Sequence, residues 1–210
     1  MPIKTNEREY RNLAAPLAAD GAQDESRSVE GYATTFNQYY LLYDYGDYAV
    51  YEQVDARAFD ECDMSDVIMQ YDHTGRVFAR SSNGTLALEP DAHGLHVRAE
   101  LGGTENGRQL YDEIRGGYTT RMSFGFTVKE DTWEESRDHE TGKTTVRRTI
   151  TKIKKLYDVS AVSLPANDAT EISARSLADG WIRKAEQERL RAQKERDNRN
   201  KIQILMEVAK

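Results

Sequence analysis

Arg121-Met122-Ser123-Phe124-Gly125-Phe126-Thr127-Val128 is the stretch on which the reading of this chain turns. Met122, Phe124, Phe126 and Val128 alternate with Arg121, Ser123, Gly125 and Thr127, the period-2 pattern of a strand with one face in a core. Ser123 then projects from the other face, beside a glycine that leaves room for something to approach. Upstream, Val67-Ile68-Met69-Gln70-Tyr71-Asp72-His73-Thr74-Gly75 puts His73 at the mouth of a turn after an apolar run. A strand serine and a loop histidine are the raw material of a nucleophile and its general base.

Strand signals dominate from residue 28 to about 175. Ser28 to Phe36 reads as a first strand, and Tyr39 to Tyr51, rich in tyrosine with Asp and Gly turns, reads as a ribbon. Arg57 to Cys62 suits one helical turn or a short helix. Thr85-Leu86-Ala87-Leu88 and Leu95 to Leu101 flank Glu89-Pro90-Asp91-Ala92-His93-Gly94 and predict a hairpin. Thr104 is placed to N-cap a helix through Leu110, Tyr111 and Ile114, stopped by Gly116-Gly117. Thr132 to Lys143 reads as a polar loop, and Thr144 to Ile153 resumes strand character.

The segment Lys155 to Asn167 is apolar on both faces, as a central strand is, yet Asp158 sits inside it. An unpaired buried carboxylate costs several kcal/mol or more. Asp158 therefore needs a partner: an arginine, backbone amides or a histidine ring. Burial alone leaves a structural and a catalytic role both open.

Composition frames these signals. At 210 residues, 38% hydrophobic and 31% charged, the chain suits one domain with a real core plus a segment outside it. No apolar run of transmembrane length occurs, residues 1–10 lack the apolar stretch of a secretory signal, and the lone Cys62 has no disulfide partner within the chain. These features predict a cytosolic protein with no membrane partner. The net charge is −7, but residues 181–210 hold nine Lys/Arg against five Asp/Glu, so the first 180 residues carry −11. An acidic body argues against specific nucleic-acid binding. The tail from about 177 to 210 predicts a charged, solvated helix, and residues 1–27 predict a flexible polar arm.

Other chemistries fit poorly. Ser123 lacks the Gly-x-Ser-x-Gly elbow of an α/β-hydrolase. His93, His96 and His139 match no zinc spacing, and Asp60, Glu61, Asp63 and Asp66 are too irregular for an EF-hand loop. Cys62 with His73 makes a weak cysteine-protease pair. No cofactor or metal is expected.

Taken in order, Glu30-Gly31-Tyr32-Ala33, Asp72-His73, Gly94-Leu95, Met122-Ser123-Phe124-Gly125-Phe126, and Asp158-Val159-Ser160 with Pro165-Ala166-Asn167 resemble the prohead maturation proteases of tailed phages. That family is related in fold to herpesvirus assemblin, and the resemblance covers roughly residues 28–172. It implies a mainly β domain with a few helices over 28–176, built as a closed, assemblin-like barrel. It further implies a serine endopeptidase acting inside the assembling prohead in the host cytoplasm. Its substrates would be the major capsid protein, the scaffold and itself, with self-association a further expectation. Carried over by position, Ser123 is the nucleophile, His73 the base and Asp158 the third member. Two departures stand out: Asp158 falls where many relatives have Glu, and the tyrosine-rich segment 39–51 is longer than expected. Assemblin uses a second histidine as third member, which keeps His93 and His96 as alternatives to Asp158. In the implied reaction His73 takes the Ser123 proton, and backbone N–H groups, with Arg121 as an added candidate, meet the oxyanion. The rival reading is a capsid-assembly or scaffolding protein on the same fold that needs no catalysis.

Overall fold

The computed structural model describes residues 8–19, 27–44, 46–162 and scattered positions between 187 and 199. Residues 8–162 among these form ten strands and one α-helix. The strands are β1 (Glu9–Ala19), β2 (Ser28–Thr35), β3 (Tyr40–Asp44), β4 (Tyr48–Val54), β5 (Ile68–Tyr71), β6 (Thr74–Arg80), β7 (Leu86–Pro90), β8 (Gly94–Glu100), β9 (Arg121–Arg137) and β10 (Thr144–Val162). The helix is α1 (Glu105–Arg115). No helix among the described residues is long and apolar enough to cross a membrane.

The strands hydrogen-bond in the order β3-β4-β10-β9-β1-β2-β8-β7, with β5 also on β10 and β6 on β5. β10 organises this sheet. One edge carries β4, parallel, along Thr144–Ile150 and then β5, parallel, along Asp158–Ala161, while the other pairs antiparallel with β9. Burial on both edges and both faces explains why its last five residues, Asp158 to Val162, are all buried.

β1 joins the two halves of the sheet. Its first residues pair with β9, its last three with β2, and the register shifts between Leu13 and Pro16. Proline lacks the N–H of a regular ladder, so a bulge is where a strand tolerates it. The chain bends there, and the halves enclose one core that includes Val29, Leu95 and Val97 on one side and Met69, Phe124, Phe126 and Val159 on the other.

The helix forms as its caps predict. Thr104 Oγ1 accepts the Gly107 N–H at 3.0 Å, and Leu110, Tyr111 and Ile114 are buried. Gly117, at φ +74°, takes the left-handed conformation that ends the helix.

Several expectations are corrected. The sheet is mainly β with one α-helix, but it is not a closed barrel: its described ladder ends at β3, β6 and β7. On the β6 side the neighbour is α1 and not another strand. An open cavity of about 430 Å³ separates them, lined by Tyr71, Gly75 and Phe78 of the β5–β6 hairpin and Gln109, Leu110 and Glu113 of α1. A helix face presents no backbone donors to continue a ladder, so closure fails there. The polar stretch from Thr132 is strand as far as Arg137, because Asp131 to Arg137 pairs with Thr144–Ile150 in a long ribbon. Residues 57–62 form successive turns and not a helix.

The leader expected over residues 1–27 contains β1, set in the middle of the sheet. The charged tail falls almost wholly outside the described residues. Those described between 187 and 199 are helical and exposed. Pro165, Ala166 and Asn167 also lie outside them.

Candidate active site

Register brings the site together. β9 and β10 pair so that Ser123 stands opposite Ser160 and Gly125 opposite Asp158. Directly opposed residues share a face, so these four lie on the side away from Phe124 and Phe126. Alongside, β5 and β6 are joined by the two-residue turn Asp72-His73, with φ values of 46° and 57°. Positive φ at both central residues is the hairpin geometry that matches strand twist, normally met by Asn-Gly. Here two side-chain-bearing residues adopt it at a cost of about 1–3 kcal/mol each. The Asp72 N–H donates to the Ala161 carbonyl at 3.1 Å, tying the turn to β10 just past Ser160.

The consequence is a continuous chain of side chains. His73 Nδ1 hydrogen-bonds Asp158 Oδ1, and His73 Nε2 lies 2.5 Å from Ser123 Oγ. An ionised carboxylate only accepts, so Nδ1 carries the proton and Nε2 presents its lone pair to the serine. Ser160 Oγ donates to Asp158 Oδ1 at 3.1 Å and sits 3.2 Å from His73 Nδ1. The sequence reading did not single out Ser160. Its signals were its place in the matching segment Asp158-Val159-Ser160 and a period-2 offset from Asp158, which puts it on the same face.

Gly125 is required by Asp158. A Cβ there would stand 2.3 Å from Asp158 Oδ2 and 2.8 Å from Tyr10 Cε1. The room foreseen at this glycine is filled by the carboxylate itself. The foreseen half-open face is closed: Ser123 is 0% exposed, and the His73 and Asp158 side chains are 9% and 1% exposed. The Tyr10 ring lies 4.4 Å from the His73 ring, centroid to centroid, tilted by 59°. The Arg11 carbonyl of β1 lies 2.8 Å from Ser123 Oγ, a second acceptor for the single serine proton.

On the opposite, core-facing side, β1 is held by buried ions. Arg11 donates to Glu52 through Nε at 2.5 Å and Nη2 at 2.9 Å, and to Glu9 at 2.5 Å. Arg148 donates to Glu9 at 2.6 and 3.0 Å, to Glu52 at 2.8 Å and to Asp131 at 2.8 Å. Tyr40 adds a hydroxyl to Glu52. Burial alone would raise the Glu52 carboxyl, but Arg11 and Arg148 outweigh it and lower the pKa from 4.5 to about 2. Glu9 is lowered for the same reasons.

Other candidates stay apart from this site. Among the described residues Arg121 makes no hydrogen bond or ion pair to it. His93, in the β7–β8 turn, and His96, on β8, pack on Tyr32, and Asp158 holds the place beside His73. Burial pushes the Cys62 thiol up to about 11, the reverse of what a thiolate nucleophile needs.

The family model described as caudovirus prohead serine protease matches residues 14–180. Among solved structures, the bacteriophage T4 capsid assembly protease, gp21, is similar at 13% identity, covering 75% of this chain and 99% of that one, with a TM-score of 0.42. No curated protein matches the chain at a significant level. Because the family model spans well over half the sequence and takes in every strand from β2 to β10, the chain belongs to the caudovirus prohead serine proteases.

Proposed function

We propose that this chain is a serine endopeptidase that cleaves capsid and scaffold proteins, and itself, during prohead maturation, with Ser123 as nucleophile, His73 as base and Asp158 orienting the base. The observation that carries the proposal is the uninterrupted contact from Asp158 through His73 to Ser123, built from three separated parts of the chain. As Ser123 Oγ attacks a peptide carbonyl, His73 Nε2 takes its proton. The imidazolium returns that proton to the leaving amine as the C–N bond breaks. Water then repeats the sequence on the acyl-serine, releasing the acid and restoring the hydroxyl. Asp158 holds the tautomer and stabilises the transient positive ring. Ser123 is fully buried, so a substrate enters only if the His73 turn or the Arg8–Arg11 segment shifts. On this proposal the protease domain takes in β1 as well as residues 28–176, and the tail from 177 serves delivery to the scaffold inside the host cell.

That same burial of Ser123 favours the rival reading, a non-catalytic assembly protein on this fold. Incubating the purified protein alone and with capsid protein, with intact-mass detection, separates the two. Masses from self-cleavage and capsid cleavage support the protease, and none from either supports the rival. A His73→Ala variant is expected to lose activity on the order of 10⁴-fold or more, since triad members act as a unit. Parental activity is expected to fall on acidification, because protonation of Nε2 removes the only base. Near-normal turnover by His73→Ala would rule His73 out.

A further inference from the structure

Residues 8–13 precede the stretch matched by the family model, yet they border the site closely. β1 alternates, so Glu9 and Arg11 enter the buried ion network on the core side, while Arg8 and Tyr10 face the catalytic side. Arg8 Nη2 donates to Asp158 Oδ2 at 2.5 Å. Its guanidinium stacks over the Tyr157 ring at 4.4 Å and lies 5.4 Å from the Tyr10 ring.

Asp158 is thus held on both oxygens. Oδ1 accepts from His73 and Ser160, and Oδ2 accepts from Arg8. With 1% of its side chain exposed, Asp158 has no water to replace a missing donor. Arg8 also leaves its own buried Nε–H without a partner among the described residues, a cost of about 1–3 kcal/mol. An arginine that served only packing or solubility, at 36% exposure, would turn outward and hydrate that group.

We infer that Arg8 is a positioning residue of this site: it fixes Asp158 Oδ2 so that Oδ1 meets His73 Nδ1, and its charge offsets the pull of Asp158 on a second proton at His73. The inference rests on the protease reading for its catalytic meaning. The groups facing His73 are Asp158 and Ser160 of β10, Ser123 of β9, Tyr10 of β1 and its own neighbour Asp72. Arg8 is the one cation that touches Asp158 among the described residues. The next, Lys155, over Tyr157 at 5.7 Å, is already paired with Asp63 at 2.6 Å.

The sign follows from charge. With Arg8 present, the net field at His73 is that of a carboxylate partly neutralised. Removing the cation leaves the full negative charge, which favours protonated His73, so a larger share of the base is blocked at a given pH. The test uses the full chain with Arg8→Gln and Arg8→Lys. In a Ser123→Ala background, the His73 ring is titrated by NMR, assigned by its loss in His73→Gln. In the active background, cleavage rate is followed against pH alongside a thermal melt.

Arg8→Gln is expected to move the His73 titration and the acid limb of the rate profile upward together. It should also lower kcat about tenfold with KM little changed. Arg8→Lys, which keeps the charge, should leave both near their parental positions. A His73 titration unmoved by Arg8→Gln overturns the inference, including where the melting temperature falls, since that is a structural role alone. Failure of the protease reading looks different: the parent then cleaves nothing, while the His73 titration still decides the role of Arg8.

Discussion

Ser123→Ala is expected to abolish processing of a co-expressed capsid or scaffold protein while leaving the domain folded. The activity loss should be on the order of 10⁴-fold or more, because among the described residues no other hydroxyl is hydrogen-bonded to His73 Nε2. Ser160 does not substitute, since it contacts Nδ1, the nitrogen turned toward Asp158. The stability effect is expected to be modest for two reasons. The side chain lies opposite Phe124 and Phe126, so the core packing is untouched. What is lost is the serine hydroxyl shared between His73 Nε2 and the Arg11 carbonyl, about 1–3 kcal/mol for the buried acceptor left unpaired, or several degrees of melting temperature in a chain of this size. Gel or mass detection of the substrate and a thermal melt read the two effects separately. Full processing by the mutant would remove Ser123 as nucleophile. Lost processing accompanied by loss of the folded state would make it a packing residue.

What was legible beforehand, and what was not, divides along the range of the interactions. The strand at 121–128 was readable because one face is uniformly apolar, a signal local to eight residues. Asp158 announced itself as a carboxylate in an apolar run, and Gly125 as a place of close approach, yet nothing in either segment said that the two explain each other. Ser123 was expected on an open face, since the groups that close it, His73 and Tyr10, come from distant segments. β1 was missed altogether. Arg8-Glu9-Tyr10-Arg11 looks like a solvated charged stretch, and Pro16 argues against a strand. Its buried charges make sense only with Glu52 and Arg148 in place, and its proline only with the bulge. Likewise Thr132–Arg137 is polar because it forms a ribbon, and its pairing depends on a partner strand that no local pattern reveals.

The ion network under β1 sets the second large effect. Arg148→Met is expected to destabilise the fold by about 3–5 kcal/mol, roughly 10 °C in melting temperature. Methionine keeps much of the volume but removes the donors that Arg148 gives to Glu9, Glu52 and Asp131. Arg11 is then the one remaining cation for two buried carboxylates. The loss should depend on pH in a definite direction. In the parent, Glu52 titrates at about 2 and not at its ordinary 4.5, so its contribution is fully present above about 4.5 and is lost as pH falls toward 2. Without Arg148, burial acts on these carboxylates with less opposition and raises them. They then take up protons on mild acidification, which relieves the uncompensated charge. The melting-temperature gap between parent and variant should therefore be widest near neutral pH and narrow toward about pH 4. Catalysis should weaken as well, because the network is what holds β1 in the register that sets Arg8 on Asp158 and Tyr10 on His73. Equal melting temperatures at neutral pH, or a gap that widens in acid, would show that the network does not anchor this strand.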